Sequence, residues 1–291
     1  MLTSDSARER RIGIALLVAA TLCFSILDAC AKWLVPRMPV VQVVWLRFAT
    51  HVLWMALLLG PRQGLSPLRV RNPRLQGLRG LMLATMTGLN FVALQYLQLA
   101  ETGAIQFSVP VLIALLSAAL LGEHLDLRRW VAIVGGFAGV LLVIRPGTAG
   151  FHPAILLSVL NAVLYAAFNL LTRRMAATET PESMQVVSAL VAALVLAPFA
   201  LATWRWPLGA LDWAVVALCG LTGGMGHQFA ASAHRHASAA VLGPFMYQQI
   251  VYMVLWGWLL FGQLPDAFVV AGAAVVVVSG LYLLWLELRR R

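Results

Sequence analysis

Charged residues are scarce in this sequence. They make up 11% of its 291 residues, whereas about 25% is typical of a soluble domain. Hydrophobic residues reach 61%, which is more apolar surface than a soluble fold of this size can bury. The composition excludes a disordered chain, a fibrous protein and an ordinary cytosolic enzyme, and it predicts a membrane protein.

Cysteine is also rare, and the signatures of catalysis are missing. Cys23, Cys30 and Cys219 form no C-x-x-C pair and have no metal-ligand spacing. The sequence contains no H-E-x-x-H, no Gly-x-Ser-x-Gly, no aspartate-rich cluster and no Walker motif. We therefore predict no catalytic residues, no metal site and no cofactor. These absences argue against an intramembrane enzyme, and a channel is disfavoured because no selectivity-filter sequence is present.

Long apolar stretches dominate what is present. A bilayer core about 30 Å thick needs roughly 20 apolar residues of helix. Ten stretches approach this length, and they do not alternate in polarity as the strands of a membrane barrel would. They are 12–33, 40–60, 77–98, 103–121, 130–145, 153–172, 184–203, 211–232, 238–261 and 267–286.

The basic residues are divided unevenly between the two ends of these stretches. Sixteen of the 21 Lys and Arg residues fall on the side of the N-terminus, four fall on the other side, and Arg47 lies within the second stretch. The positive-inside rule then predicts cytoplasmic N- and C-termini, and the absence of an Asn-x-Ser/Thr acceptor agrees with a bacterial inner (plasma) membrane. The net charge of +10 is explained by this topology, so no nucleic-acid partner is expected.

The chain also contains an internal repeat. The motifs that begin at Gly122 and Gly262 lie 140 residues apart, and so do Asp126 and Asp266. Halving the chain gives five stretches in 1–147 and five in 151–291. Because five is odd, the second unit must cross the membrane in the opposite sense, which is an inverted repeat of the kind found in secondary transporters.

Two prolines fall inside corresponding stretches of the repeat. Pro110 lies in the fourth and Pro244 in the ninth. A proline inside a helix frees a carbonyl and bends the helix, so both are candidate helix kinks that shape a cavity or gate. The alternative is a pair of ordinary kinks, because proline is common in membrane helices.

Several motifs resemble those of a known family. They are Trp45-Leu46-Arg47-Phe48, Gly122-Glu123 and the glycine-rich 135–140 segment. Together with the ten-stretch pattern they resemble the drug/metabolite transporter superfamily, specifically the EamA family of duplicated five-helix units. The resemblance implies export of amino acids or other small metabolites, and it is closest to the branch that exports aromatic amino acids and methyl viologen. Gln263 departs from the pattern, since the repeat would place an acid there.

Ionisable residues within membrane spans are functional candidates because their burial is costly. Asp28 and Lys32 are one helical turn apart, and Arg47 lies at a similar depth on the next stretch. We expect an Asp28–Arg47 or Asp28–Lys32 ion pair near the outer end. With His51, these residues form a predicted outer charged cluster or gate, and the alternative is a purely structural pair.

Uncharged polar and aromatic residues in the middle of the stretches are candidates for a substrate cavity. Amides and phenols can bind a zwitterion and stack on its apolar part, although they also serve as hydrogen bonds between helices. The candidates are Asn90, Tyr96, Asn161, Tyr165, Asn169, His227, Tyr247 and Gln248. His227 and His51 also raise the question of proton coupling.

Taken together, the sequence predicts an all-α polytopic membrane protein. Its ten transmembrane helices form two inverted five-helix repeats around a central cavity. We expect a secondary active or facilitative exporter of small metabolites, amino acids and aromatic ones among them, that works by alternating access. Transport of another metabolite or of an organic cation is the alternative. The expected partners are the substrate, the lipid bilayer and a coupling proton, in a monomer or homodimer.

Overall fold

The structure, a computed structural model, describes residues 7–121, 127–148, 150–237 and 239–289. This part of the chain forms twelve α-helices and one short 3-10 helix at Ser66–Leu68. The Gly122-Glu123 motif, Asp126, Arg290 and Arg291 lie outside the described residues. The helices are α1 Ala7–Leu34, α2 Val40–Gln63, α3 Pro73–Tyr96, α4 Leu99–Gln106, α5 Val109–Leu121, α6 Leu127–Ile144, α7 Ile155–Met175, α8 Pro181–Ala202, α9 Ala210–His236, α10 Ala239–Met246, α11 Gln249–Phe261 and α12 Ala267–Leu288.

Eight segments of the described chain are long and apolar enough to cross a membrane. They comprise α1, α2, α3, α6, α7, α8, α12 and a segment, Leu99–Leu116, that runs through α4 into α5. The all-helical membrane fold is thereby confirmed, whereas the count of ten spans stays a prediction. The two further expected spans correspond to α9, whose 27 residues are long enough but include several polar ones, and to the α10–α11 pair.

The helix boundaries repeat along the chain with an offset of 140 residues. The pair α4 and α5 covers 99–106 and 109–121, and the pair α10 and α11 covers 239–246 and 249–261. The interruptions at 107–108 and 247–248 therefore occupy equivalent positions. Likewise α6 begins at 127 and α12 at 267. This offset makes α1, α2 and α3 equivalent to α7, α8 and α9.

The interruptions correct the expectation for the two prolines. With the 140-residue offset, Pro110 corresponds to Ile250 and Pro244 to Ala104, so the prolines are not equivalent. Pro110 is the second residue of α5, where a missing N–H costs little, and Pro244 lies inside α10. Each proline lies within three residues of an interruption, but the feature that repeats is the interruption itself.

Equivalent helices cross each other in opposite directions. In α6 and α12, a Cβ on Gly139 would lie 2.8 Å from the carbonyl oxygen of Gly272, and a Cβ on Gly135 would lie 2.7 Å from Ser279 Oγ. Residue numbers thus fall along α6 as they rise along α12. Because these two helices are equivalents, the repeat is inverted, as the odd number of stretches per unit predicts.

The helix pairings obey the same two-fold relation. α1 packs against α9 just as α7 packs against α3, and the α4–α5 pair contacts α7 just as α10–α11 contacts α1. We call the end of the bundle where α1 begins the terminal end, and the end where α1 finishes the distal end.

The glycines at the crossing of α6 and α12 provide a stability test. Gly139→Ala should lower the free energy of unfolding by about 1–3 kcal/mol, because its Cβ would meet backbone atoms of Gly272 and Val276 at 2.8 and 2.9 Å. Gly88→Ala is the matched control, since nothing lies within 4 Å of a Cβ at that helical position. Thermal unfolding of both variants in detergent checks this, and equal melting temperatures would contradict it.

Candidate functional site

The two helix interruptions meet in the interior. The rings of Phe107 and Tyr247, which are equivalent residues, lie 5.4 Å apart between centroids. Both are buried, at 9% exposure each. Two discontinuous helices that touch at their breaks are a recurrent way to build a transporter's binding site, because the breaks expose polar backbone groups at the protein centre.

Two hydrogen bonds flank this contact, and one partner of each occupies an equivalent position in the repeat. Asn161 Nδ2 donates to Gln106 Oε1 at 3.4 Å, and Gln248 Nε2 donates to Thr21 Oγ1 at 3.1 Å. Thr21 and Asn161 are 140 residues apart. We call Phe107, Tyr247, Asn161 and Gln248 the break site. Three of these residues were sequence candidates. Phe107 was missed, although its alignment with Tyr247 in the repeat was visible.

The other two sequence candidates of α7, Tyr165 and Asn169, make contacts within their own helix. Asn169 Nδ2 donates to the carbonyl oxygen of Tyr165 at 2.7 Å, and the ring of Tyr165 stacks on Phe168 with 6.2 Å between centroids. Of the expected stripe of Asn161, Tyr165 and Asn169, Asn161 alone forms a side-chain hydrogen bond to another helix among the described residues.

Tyr96 is separated from the other cavity candidates. It is 60% exposed at the end of α3, and its ring stacks on His152 with 5.1 Å between centroids. The structure does not bring Tyr96 to the break site, because the helix ends at this residue and turns it toward the surface.

A second polar group lies between α2, α8 and α9. Arg47 Nη1 lies 3.3 Å from His51 Nδ1, and the His51 ring stacks on His227 at 6.4 Å. Gln185 Nε2 lies 3.3 Å from His51 Nε2 and donates to the carbonyl oxygen of Gly224 at 2.8 Å. We call these four residues the Arg47 centre. It joins His227, expected in a cavity, to Arg47 and His51, expected in a gate.

Asp28 and Lys32 have partners other than those expected. Asn90 Nδ2 donates to Asp28 Oδ1 at 2.9 Å, and Lys32 Nζ donates to the carbonyl oxygens of Leu94 and Leu97 at 3.1 and 2.6 Å. Within the described residues, neither Lys32 nor Arg47 forms an ion pair with Asp28. The expected ion pair was wrong because α3, whose last carbonyls lack helical partners, lies against this face of α1.

These contacts tie α1 to α3 at the distal end, and Gln95 Nε2 adds a hydrogen bond to the carbonyl oxygen of Val35 at 3.1 Å. The two-fold equivalent of this contact would join α7 to α9 at the terminal end. In the described part of the chain, no side-chain hydrogen bond joins α7 to α9, and they are not a closely packed pair. The two ends therefore differ: side-chain hydrogen bonds join α1 to α3 at the distal end, and the described residues show none between α7 and α9 at the terminal end.

Arg79 is buried, although in the sequence it counts among the sixteen basic residues on the side of the N-terminus. It lies inside α3 at 8% exposure. Arg79 Nε donates to Thr172 Oγ1 at 3.0 Å, and Nη1 donates to the carbonyl oxygen of Met184 and to Ser188 Oγ, both at 2.7 Å. Its guanidinium covers the Phe168 ring at 4.4 Å. These contacts join α3, α7 and α8.

Nothing in the described ranges resembles a metal centre: His, Cys, Asp and Glu form no group of three or more there that could hold an ion. The cysteines Cys23, Cys30 and Cys219 are free. The polar chemistry of the interior therefore consists of amides, aromatic rings, imidazoles and a few buried charges.

Comparison with known proteins agrees with the inverted architecture. The pattern of the EamA-like transporter family matches the chain twice, over residues 11–145 and 152–286. The chain belongs to the EamA-like transporter family. A solved crystal structure with TM-score 0.64 and 23% identity covers 98% of this chain and 99% of its own, which shows the shared fold.

Several curated relatives of this EamA protein are similar along almost their whole length. An S-adenosylmethionine uptake transporter of Rickettsia prowazekii (strain Madrid E) is 26% identical over 98% of this chain and 96% of its own. A riboflavin transporter of Rhizobium johnstonii (strain DSM 114642 / LMG 32736 / 3841) is 28% identical over 96% and 93%. The pseudopaline exporter CntI of Pseudomonas aeruginosa (strain UCBPP-PA14) is 26% identical over 92% and 94%. This EamA protein is a multi-span membrane transporter of small metabolites and not an enzyme.

Proposed function

We propose that this EamA protein exports amino acids, aromatic ones included, across the bacterial inner membrane by alternating access. The two units, 1–147 and 151–291, surround a central cavity whose floor is the break site. The observation that carries the proposal is the contact between Phe107 and Tyr247 at equivalent helix interruptions. Aromatic rings beside amide groups suit a zwitterion that has an apolar side chain.

The unequal ends supply the states that alternating access requires. At the distal end, hydrogen bonds of Asp28, Lys32 and Gln95 hold α1 against α3. In the opposite state, the two-fold relation would place the matching contact between α7 and α9 at the terminal end. With both termini in the cytoplasm, as the distribution of basic residues predicts, this conformation faces inward. A substrate shifts the balance between two such states only by binding them unequally.

Counterflow in proteoliposomes tests the proposal. Liposomes preloaded with unlabelled phenylalanine, lysine or glutamate should accumulate the same labelled amino acid in a saturable, protein-dependent way. A pH gradient of either sign then tests the coupling proton. A linear, unsaturable flux would point to a channel, and the absence of any amino-acid flux in folded protein would overturn the proposal.

Transport of another metabolite is the second candidate, because the relatives' names include uptake of S-adenosylmethionine and transport of riboflavin. The same assay with these two solutes and with methyl viologen separates the candidates. Uptake of the substrate measured in right-side-out and in inside-out vesicles then shows the direction of transport.

The break site makes a prediction of its own. Tyr247→Ala should reduce the counterflow rate about tenfold, because it removes a buried ring that holds the two interruptions together; such burial is worth about 1.5–3 kcal/mol. Tyr247→Phe keeps the ring contact with Phe107 and should stay within about twofold of wild type. A Tyr247→Ala protein that folds and transports at the wild-type rate would contradict a role for this contact.

A further inference from the structure

The guanidinium of Arg47 has an unused hydrogen-bond donor. Arg47 is 3% exposed, and its Nε has no hydrogen-bond partner among the described residues. The group covers the Phe48 ring at 4.1 Å, and its Nη1 lies 3.3 Å from His51 Nδ1. A buried N–H without an acceptor costs about 1–3 kcal/mol, so this donor requires an explanation.

The charge of Arg47 also has no adjacent counter-ion. Within the described residues no carboxylate comes within ion-pair distance of it, and Asp28 accepts its hydrogen bond from Asn90. The charge of Asp28 acts on Arg47 from beyond that distance, but a buried charge without a directly hydrogen-bonded counter-ion is costly in a membrane interior. The Arg47 centre therefore has an unsatisfied charged donor that a further anionic group could accept from.

Arg79 provides a comparison, because none of its buried guanidinium nitrogens lacks a hydrogen-bond partner among the described residues. Both arginines are buried at helix junctions that the two-fold relates: α1, α2 and α9 for Arg47, and α7, α8 and α3 for Arg79. Both also cover a phenylalanine ring. Arg79 Nε and Nη1 together make three hydrogen bonds to the protein, whereas Arg47 keeps Nε free.

The neighbouring helix leaves space for the guanidinium. A Cβ on Gly223 of α9 would lie 3.0 Å from Arg47 Nη2 and 3.2 Å from Nε. A Cβ on Gly224 would lie 3.1 Å from His51 Cδ2. The same Cβ on Gly223 would lie 2.9 Å from Leu27 Cδ1, so the α9 backbone and the Leu27 side chain border the edge of Arg47 that carries the unused donor. His227 is half-buried, and its ring stacks on that of His51.

We propose that the Arg47 centre binds the carboxylate of the transported solute. The planar edge formed by Nε and Nη2 matches the two oxygens of a carboxylate, and the amide of Gln185 and the imidazoles supply further hydrogen bonds. This inference rests on the proposed transport function but narrows it: solutes that carry a carboxylate are substrates, and isosteres that lack the charge are not.

Matched solute pairs test the proposal in proteoliposomes. Labelled phenylalanine and phenylalaninamide, and labelled leucine and leucinamide, differ only at the carboxylate. The wild-type protein should favour the acid of a transported pair by about tenfold or more, since one charged hydrogen-bonding partner is lost in the amide. Arg47→Gln should abolish the preference. Equal transport of acid and amide, or a preference that survives in Arg47→Gln, would overturn the proposal.

Two further variants separate binding from folding. Gly223→Ala keeps the charge of Arg47 but crowds its free edge, so it should also reduce the preference about tenfold. Arg79→Lys removes guanidinium hydrogen bonds at the related junction of α3, α7 and α8. It should lower the melting temperature and leave the ratio of acid transport to amide transport unchanged. A loss of preference in Arg79→Lys equal to that in Arg47→Gln would show that helix packing, rather than carboxylate binding, is responsible.

A binding measurement keeps this proposal distinct from the transport proposal. If neither pair is transported, amino-acid export fails, and the melting temperature of the purified protein in phenylalanine or phenylalaninamide decides the carboxylate site. Stabilisation by the acid in wild type but not in Arg47→Gln supports the site. Equal shifts with acid and amide, or no shift with either, overturn it.

Discussion

A covalent tether between positions 35 and 95 should abolish transport. The Gln95 side chain reaches the carbonyl oxygen of Val35 at 3.1 Å, so cysteines at these positions lie across the distal contact of α1 and α3. A short bis-methanethiosulfonate reagent that bridges them would hold this end closed. Because alternating access requires each end to open in turn, counterflow should fall to background and return when dithiothreitol reduces the tether.

The inverted repeat supplies the matched control for this experiment. Positions 175 and 235 are the two-fold equivalents of 35 and 95, and they pair a buried residue with an exposed one at the terminal end. Cysteines there should bridge slowly in the resting protein, because α7 and α9 are not closely packed in the described structure. Substrate in counterflow should speed the reaction by populating the opposite state. Both pairs are made with Cys23, Cys30 and Cys219 replaced by alanine.

Rapid bridging of 175 and 235 at rest, or full transport by the bridged 35–95 pair, would contradict a gate formed by α1 and α3. The first result would mean that the terminal end closes at rest. The second would mean that the distal contact does not open during transport.

Lys32→Gln should also reduce transport strongly, by about tenfold or more. Lys32 is 8% exposed, and its ammonium donates to two carbonyls at the end of α3 while lying 5.6 Å from the centre of the Phe261 ring. A hydrogen bond to a charged group contributes about 1.5–3 kcal/mol. Losing it should weaken the distal contact, and the bridging rate of the 35–95 cysteine pair should fall in parallel.

Arg37→Gln is the control for this substitution. Arg37 also lies at the distal end of α1, but it contacts Asp212 at the start of α9, with Nε 3.6 Å from Oδ1 and a side chain 31% exposed. Asp212 is buried, but this ion pair joins α1 to α9 and does not reach α3, so its loss leaves the distal contact in place. Transport should stay within about twofold of wild type. Unchanged transport and unchanged bridging in Lys32→Gln would remove Lys32 from the gate.

Much of the architecture could be predicted from the sequence because it depends on local patterns. Hydropathy identified the helical membrane fold, and the Gly122/Gly262 offset of 140 residues anticipated the offset of the helix boundaries. The prolines pointed to the right helices but to unequal positions, since the interruption depends on how each helix packs at its centre and not on proline alone.

The site was only partly predictable. Tyr247, Asn161 and Gln248 were found because polar groups stand out in apolar stretches, but Asn169 bonds to its own helix and Tyr96 is turned outward. Phe107 and Arg79 were missed. An aromatic residue in an apolar run carries no polar signal, and Arg79 lies close enough to a basic connection to be counted with it.

The sequence by itself determined a membrane-embedded helical chain, its two units and their opposite orientation, because hydrophobicity, repeat spacing and the parity of crossings are properties of the chain read in order. Only the tertiary structure decided that Asp28 meets Asn90 instead of Arg47, that His51 stacks on His227, and that Arg47 keeps a free donor. Such contacts depend on the rotation and tilt of helices that are far apart in sequence. Rotation and tilt are set only when three or more helices pack together.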